Sequence, residues 1–190
     1  MNAKFLKLRS HIEEVVSLTD EEWKVISQSF EYRTLKKHQF LIQQGGTVDC
    51  EFWIIEGIVK AYFIDEKGKE HILQFAMENS WVSDHYAFQY DLPADLNLDC
   101  LENSEFFCLS KENRERMCFQ FPKMANFFRI KGLYGYVNLQ KRILSFLTQT
   151  AEERYERLLD RKPELIQRVP KKLLAAYLGV SRETLSRLKA

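Results

Sequence analysis

The pattern of apolar and polar positions divides the chain into a helical start, a β-rich middle and a helical end. In the first thirty residues, Phe5, Leu8, Ile12 and Val16 recur every three or four positions, as on one face of an amphipathic helix. The segment Thr19-Asp20-Glu21-Glu22 resembles the start of a second helix. We therefore expect two short helices before the first strand.

Between about Tyr32 and Leu109, short runs rich in β-branched and aromatic residues alternate with turn signals such as Gly45-Gly46 and Glu66-Lys67-Gly68. Many short strands with frequent turns indicate a β-sandwich, a barrel or a jelly roll. The predicted strands are Phe40–Ile42, Phe52–Ile55, Ile58–Ile64, His71–Phe75, Leu96–Leu101 and Phe106–Leu109.

A helical pattern returns after the β-rich part. Ser110 is placed as the N-cap of a short helix from Lys111 to about Gln120, which ends before Pro122. A longer helix is predicted over about 122–137, and another from Leu139 to Leu159. The first long helix has an apolar stripe that could pack against a second subunit or against the β domain of its own chain. Its members are Met124, Phe127, Ile130, Tyr134 and Val137.

The last twenty residues predict a helix, a tight turn and a second helix. Gly179 lies between two apolar stretches, where a turn needs a residue that tolerates positive φ. Ala175 is the small residue expected where two steeply crossing helices touch. The inward-facing apolar positions are Leu174, Leu178, Val180, Leu185 and Leu188. This is the pattern of a DNA-binding helix-turn-helix.

The outer face of the second helix carries groups that can read base edges. An arginine matches guanine O6 and N7, and a carboxylate accepts a hydrogen bond from cytosine N4. The predicted base-reading residues are Arg182, Glu183, Ser186 and Arg187. The predicted phosphate contacts are Arg168, Lys171, Lys172, Ser181, Thr184 and Lys189. A solvated charged face, or a helix pair that docks protein, is the alternative.

The charge distribution supports a polyanionic partner for the C-terminal part. The 190 residues carry a net charge of +1. However, the residues from Asn138 onward hold twelve Lys and Arg against six Asp and Glu, while the rest of the chain is net acidic. No apolar run approaches a membrane span, and the N-terminus lacks a secretory apolar core. We expect a cytoplasmic protein whose cysteines are free thiols.

An enzyme is the first competing class. A jelly-roll metal enzyme needs several ligands converging inside the barrel, and the β region offers only His38, His71 and His85, at no ligand-like spacing. The sequence has no P-loop, dinucleotide fingerprint or nucleophile elbow. We therefore expect neither catalysis nor a metal site.

Four segments resemble the Crp/Fnr family of bacterial transcription regulators: 52–62, 102–105, 167–170 and 179–187. The resemblance implies an α+β fold with an N-terminal double-stranded β-helix, or jelly roll, of the cyclic nucleotide-binding type. A dimerisation helix and a C-terminal helix-turn-helix would follow. It implies a sensor domain over 1–137, including that helix, and a DNA-binding domain over 138–190. The run 151–155 is similar to Bacteroidetes-type members.

The family's way of reading DNA is carried over residue by residue. The resemblance implies a homodimer on an inverted repeat with TGA half-sites, with Arg187 on the guanine and Glu183 on the opposite cytosine. RNA polymerase is a further partner that the resemblance allows, and a hinge is expected near Tyr136–Leu139. Because the chain ends at Ala190, the family's strands after the second helix are expected to be absent or shortened.

The ligand cassette departs from the family's cyclic-nucleotide pattern. Ser83 and Asp84 stand where a Gly-Glu pair would hold the ribose, and Ala94 and Asp95 stand where an arginine and a hydroxyl would hold the phosphate. Losing the cation removes a charge-assisted contact, and Asp95 repels an anion. Trp81, His85 and Tyr86 are further candidate pocket residues or core aromatics. We expect no cofactor and an effector other than cyclic AMP, or none, with an atypical cyclic-nucleotide cassette as the alternative.

Overall fold

Two helices precede the β domain, as the sequence pattern predicts. The computed structural model describes residues 3–188, in which α1 spans Ala3–Glu13 and α2 spans Asp20–Ile26. The Thr19 hydroxyl accepts a hydrogen bond from the Glu22 backbone N–H, and the Glu22 carboxylate accepts one from the Thr19 N–H. This reciprocal cap fixes the start of α2. A 3-10 turn, Ser27–Ser29, leads into the first strand.

The described residues contain a β-roll of two antiparallel sheets, which confirms the predicted jelly roll. One sheet has the strand order β1-β8-β3-β6 and the other β2-β7-β4-β5. The strands are β1 (Phe30–Leu35), β2 (Phe40–Ile42), β3 (Cys50–Glu56), β4 (Val59–Ile64), β5 (Glu70–Ala76), β6 (Trp81–Val82), β7 (Asn97–Cys100) and β8 (Ser104–Ser110). The sequence pattern missed the edge strands β1 and β6.

The hydrophobic core has two parts around the first sheet. Phe52, Ile54, Leu98 and Phe106 are buried between the two sheets. The opposite face of the first sheet is covered by helices, and its centre is Trp53, which is fully buried in a cluster with residues of α1 and α2. Alternate side chains of one strand therefore serve the two clusters.

The helix after the β-roll is longer than the sequence pattern predicts. Helix α4 spans Lys111–Gln120 as expected, capped by Ser110, and α5 then runs unbroken over Pro122–Thr148. The expected hinge at Tyr136–Leu139 lies within this helix and stays a prediction, and the chain first leaves the helix at Gln149. The predicted domain boundary falls inside α5, and the domain division stays a prediction.

Four short helices complete the described part. They are α6 (Ala151–Arg161), α7 (Pro163–Arg168), α8 (Lys171–Leu178) and α9 (Arg182–Leu188). The predicted helix over Leu139–Leu159 is therefore wrong: Thr150 caps a new helix, and the Glu153 carboxylate accepts the Thr150 N–H. The short helices pack on the outer face of the second sheet, where Phe75 lies 5.0 Å from Tyr177 between ring centroids.

Candidate nucleic-acid interface and ligand cassette

Helix α8 and the turn after it depend on small and apolar residues at fixed positions. Leu174, Ala175 and Leu178 are buried. The helix ends at Gly179, whose φ of 73° is the left-handed conformation that favours glycine. A Cβ at Gly179 would also come within 3.0 Å of the Phe146 ring. The turn that leads into α9 therefore requires a glycine at this position.

Helix α9 separates apolar from polar positions. Leu185 is 1% exposed and packs towards α8, whereas the four predicted base-reading residues, Arg182, Glu183, Ser186 and Arg187, are exposed on the other side. In the part of the chain that the structure describes, neither Arg182 nor Arg187 forms a salt bridge. Both guanidinium groups are thus free to contact a ligand.

The start of α9 is held by local hydrogen bonds. The Ser181 hydroxyl accepts a bond of 3.1 Å from the Thr184 N–H and lies 3.1 Å from the Thr184 hydroxyl. The helix N–H of Glu183 and the Ser181 hydroxyl lower the pKa of the Glu183 carboxyl. The Glu183 side chain is therefore an ionised hydrogen-bond acceptor on the exposed face.

The predicted phosphate contacts do not share one environment. Lys171 and Lys172 are exposed at the start of α8 and form no salt bridge with any described residue. Ser181 and Thr184 are exposed next to α9, although they bond to each other. Lys189 and the side chain of Leu188 lie outside the described residues.

Arg168 differs from the other predicted phosphate contacts because two carboxylates neutralise it. Its guanidinium donates to both oxygens of Glu78, at 3.0 and 2.7 Å, and also to Glu102. Burial alone would raise the pKa of Glu78, but the Arg168 guanidinium and the Gly57 N–H bring it down to about 2. In this conformation Arg168 joins α7 to the β-roll instead of facing solvent as a free cation. This contact could not be predicted from the sequence, because the three segments are distant along the chain.

The ligand cassette of the β-roll is closed by its own residues. Asp84 is 2% exposed, and its carboxylate accepts hydrogen bonds from the backbone N–H groups of Ala87, Asp95 and Leu96 at 3.2, 2.9 and 3.0 Å. The donors to Asp84 come from helix α3 (His85–Tyr90) and from the loop before β7. These N–H groups are therefore occupied by an internal carboxylate.

The side chains of the other cassette residues provide neither a cation nor a free hydrogen-bond donor for an anion. Ala94 is buried and its backbone pairs with Gly45 and Gly46, so no cation stands at this position. The Asp95 side chain is exposed, and the Ser83 hydroxyl donates to the Cys50 carbonyl. The structure thus brings Asp84, Ala94 and Asp95 together as the sequence suggests.

The predicted pocket aromatics do not converge on this cassette. The Trp81 indole N–H donates to His11, and its ring packs against Phe127 and Phe128 of α5. Trp81 is therefore part of the helix-covered core. His85 and Tyr86 lie at the exposed start of α3, where Tyr86 packs against Tyr90.

An apolar row runs along the exposed side of α5 with alternating spacings of three and four residues. The apolar seam consists of Ile130, Leu133, Val137, Leu144 and Leu147, and the polar Gln140 occupies the repeat position between Val137 and Leu144. Leu133, Leu144 and Leu147 are 53%, 50% and 75% exposed. By contrast, Met124 and Phe127 of the predicted stripe are buried against the β-roll. A regular period of 3.5 is typical of a helix that packs along another helix.

Two further properties bear on function. Among residues 3–188, no three His, Cys, Asp or Glu side chains are grouped as metal ligands. Within the same range, no helix combines the length and the hydropathy needed to cross a membrane.

Comparison with known proteins identifies the β-roll. Residues 32–121 match the family described as cyclic nucleotide-binding domain. No curated protein sequence matches the chain. The β-roll is thus similar to cyclic nucleotide-binding domains, although the cassette within it is closed.

Solved structures extend the similarity beyond the β-roll. FixK2 from Bradyrhizobium japonicum has a TM-score of 0.73 and 15% identity, over 84% of this chain and 82% of its own. The c-di-GMP responsive global regulator CLP of Xanthomonas campestris has a TM-score of 0.70 and 17% identity, over 90% and 89%. The catabolite activator protein of Thermus thermophilus has a TM-score of 0.58 and 19% identity, over 91% and 83%. The chain thus shares the fold of these three proteins.

Proposed function

We propose that the chain is a sequence-specific, DNA-binding transcription regulator of the Crp/Fnr type that acts as a homodimer. The observation that carries the proposal is the exposed row of Arg182, Glu183, Ser186 and Arg187, backed by the buried Leu185. With α8 and α9 acting as a helix-turn-helix, this row would enter the major groove. Its arginines suit guanine, and its ionised carboxylate suits the cytosine amino group.

The cations around α9 support contacts to the DNA backbone. Lys171 and Lys172 have no carboxylate partner among the described residues, so their charge is available to phosphates. Ser181 and Thr184 supply hydroxyls at the start of α9, and Lys189 would add a cation near its end. Arg168 is left out of this set, because Glu78 and Glu102 already neutralise it.

The apolar seam of α5 supports dimerisation. Exposed leucines on a 3.5-residue repeat leave apolar area in water unless a second helix covers it. A second copy of α5 presents the same repeat in the same length, so the seam is self-complementary about a two-fold axis. A two-fold dimer would set two α9 helices roughly 34 Å apart, one turn of DNA. The proposed target is therefore an inverted repeat with TGA half-sites.

The closed cassette supports an effector other than cyclic AMP, or none. A phosphate would meet the Asp84 carboxylate where it needs donors, and no arginine is present at Ala94. The match to the cyclic nucleotide-binding family favours a second candidate, a cyclic-nucleotide-responsive regulator. That candidate requires the Asp84 bonds to open. A saturable thermal shift with cyclic AMP would support it, and its absence would exclude it.

A gel shift at two salt concentrations tests the proposed function. Arg187→Ala should cost about 1–3 kcal/mol of binding to a TGA inverted repeat and relax the preference at one base pair, while binding to random DNA changes little. Lys171→Ala should weaken binding to all sequences alike and reduce the salt slope by about one. Arg116→Ala, an exposed arginine on α4, is the control and should change neither.

Two outcomes would contradict the base-reading role. The first is an equal loss of affinity for specific and random DNA in Arg187→Ala. The second is no DNA binding by the unaltered protein at either salt concentration, which would favour a helix pair that docks protein.

A further inference from the structure

A cleft of about 580 Å3 separates the edge strand β5 from α5 and from the turn that precedes α9. Its volume lies within the range of roughly 300–1000 Å3 that is typical of small-molecule sites. One wall belongs to the β-roll and the opposite wall belongs to the C-terminal helices. A molecule in this cleft would contact both parts of the chain.

The cleft contains a cation that no carboxylate neutralises. The Arg142 guanidinium uses Nη2 to donate to the carbonyls of Ile72 and Tyr177, at 3.2 and 2.9 Å. It also lies 3.6 Å from the Tyr177 ring centroid and 4.8 Å from that of Phe146. Within the described residues, its Nε and Nη1 atoms make no hydrogen bond. The N–H groups on Nε and Nη1 point in different directions, so each is available to an anion as a single charged donor.

The burial of Arg142 makes an anion more favourable there. Burial lowers the pKa of Arg142, which means that the surroundings compensate its charge poorly. Arg154, whose guanidinium also lies 4.8 Å from the Phe146 ring centroid, donates only to backbone carbonyls and adds a second positive charge. A buried charge without an ionic partner is costly, and a bound anion would supply that partner.

The remaining charges of the cleft also favour an anion. The Lys69 ammonium forms no ion pair with any described residue. The Glu70 carboxylate is engaged by Lys60 at 2.9 Å, and His71 lies 2.8 Å from Asp65. Thus the acidic group at the rim is already paired, whereas two cations are not.

The apolar lining specifies more than a bare ion. Leu73, Leu139, Ile143, Phe146 and Val180 line the cleft between the charged groups. An apolar or aromatic body would displace water from these side chains. The complementary ligand is an organic anion with an apolar body and a carboxylate or phosphate group.

The cleft also remains accessible in the proposed dimer. Arg142 and Leu144 are two positions apart on α5, which separates them by about 200° around the helix. The Arg142 side of the cleft therefore faces away from the apolar seam. Covering the seam with a second subunit leaves the cleft open.

We propose that this cleft binds a small organic anion, with Arg142 and Lys69 holding the charged group and the apolar wall holding the body. Because the cleft is lined by β5 and by Gly179–Ser181, occupancy would fix the position of α9 relative to the β-roll. That consequence rests on the proposed DNA-binding function, whereas ligand binding does not. The site is distinct from the closed cassette at Asp84.

Thermal shift and calorimetric titration with defined probes test the binding. Benzoate and phenyl phosphate are the anionic probes, and benzyl alcohol is the neutral counterpart. At least one anion should bind saturably, and comparing the two tells which anionic group the cleft takes. Benzyl alcohol should bind at least about tenfold more weakly. Inorganic phosphate should also bind more weakly than phenyl phosphate, since it lacks the apolar body.

Two variants locate the site. Lys69→Gln and Arg142→Met should each weaken anion binding about tenfold, whereas Lys67→Gln, on the same exposed hairpin but outside the cleft, should bind normally. Lys69→Gln keeps the test decisive if Arg142→Met fails to fold. Absence of saturable anion binding, or equal binding by the wild type and Lys69→Gln, would overturn the proposal. These titrations contain no DNA, so a failed gel shift would leave their result intact.

Discussion

The Asp84 carboxylate occupies three backbone N–H donors of the cassette. The resemblance to the Crp/Fnr family indicated that Asp84, Ala94 and Asp95 stand where the family has a glutamate, an arginine and a hydroxyl that hold a cyclic nucleotide. It did not indicate that Asp84 accepts three N–H groups, because two of the donors lie eleven and twelve residues further along the chain. The residue type was thus readable, whereas its contacts depend on the folding of the loop before β7.

Replacing Asp84 should destabilise the β-roll. Asp84→Ala leaves three N–H groups without their acceptor in a buried place, and we expect the free energy of unfolding to fall by about 2–4 kcal/mol. Chemical denaturation measures this change. Asp95→Ala removes an exposed carboxylate of the loop before β7 and should change the free energy of unfolding by less than about 0.5 kcal/mol. Equal effects of the two substitutions would contradict the internal-ligand role of Asp84.

Glu51 gives the stability a dependence on pH. Burial raises the pKa of Glu51 to about 7, although the Arg114 guanidinium, 3.3 Å away, acts in the opposite direction. Since the folded state binds this proton more tightly than the unfolded state, stability is highest below the unfolded pKa, near 4.5. It falls as the pH rises towards 7.

Glu51→Gln should remove that loss. The free energy of unfolding of the variant, relative to that of the wild type, should rise by on the order of 3 kcal/mol between pH 5 and pH 8. Denaturation at each pH measures this change. Glu56→Gln, at the exposed end of the same strand, is the control. A wild type whose stability relative to Glu51→Gln does not change with pH would refute the buried-acid account.

At the level of elements, α5 shows where periodicity is informative and where it is not. The apolar pattern located the helix and its start at Pro122, but it divided the helix near residue 137, where one apolar stripe ends and the next begins. Gly132 and Gly135 lie within the first stripe. In the structure both glycines are exposed and a Cβ on either would meet no other atom, so neither marks a break. The stripe changes because the first turns pack on the β-roll and the later turns carry the apolar seam.

A charge in the apolar seam should separate the proposed dimer. Leu144→Glu places two carboxylates at a helix–helix contact, and we expect a mainly monomeric protein by light scattering at micromolar concentration. Asn138→Glu is the matched control, since Asn138 is exposed and lies about a third of a turn from Leu144 around the helix. A dimer that persists in Leu144→Glu, or a wild-type monomer, would contradict the seam as the interface.

At the level of the whole molecule, the C-terminal helices rest on the outer face of the second sheet. Ile58, Tyr62 and Phe75 of the β-roll share one buried cluster with Leu165 and Leu174. The two helices α8 and α9 could be predicted from residues 171–188 alone, because their contacts with each other are local. The packing of these helices on the β-roll could not, since Arg168 meets carboxylates 90 and 66 residues away.

Replacing Arg168 should therefore lower the stability of the protein and leave the salt dependence of DNA binding unchanged. Arg168→Ala breaks its bonds to Glu78 and Glu102, and we expect the free energy of unfolding to fall by about 1–3 kcal/mol. The salt slope of DNA binding should stay unchanged, whereas Lys171→Ala should reduce it. A slope reduced by about one in Arg168→Ala would return this residue to the phosphate contacts.

The most direct test of the account is selection of bound sequences from random double-stranded DNA. The wild type should enrich an inverted repeat with TGA half-sites whose centres lie about one helical turn apart, since the proposed dimer presents two α9 helices at that spacing. Arg187→Ala should lose the preference at the guanine and keep the rest of the repeat. No enriched sequence, or the same repeat enriched equally by Arg187→Ala, would contradict the assignment of α9 as the base-reading helix.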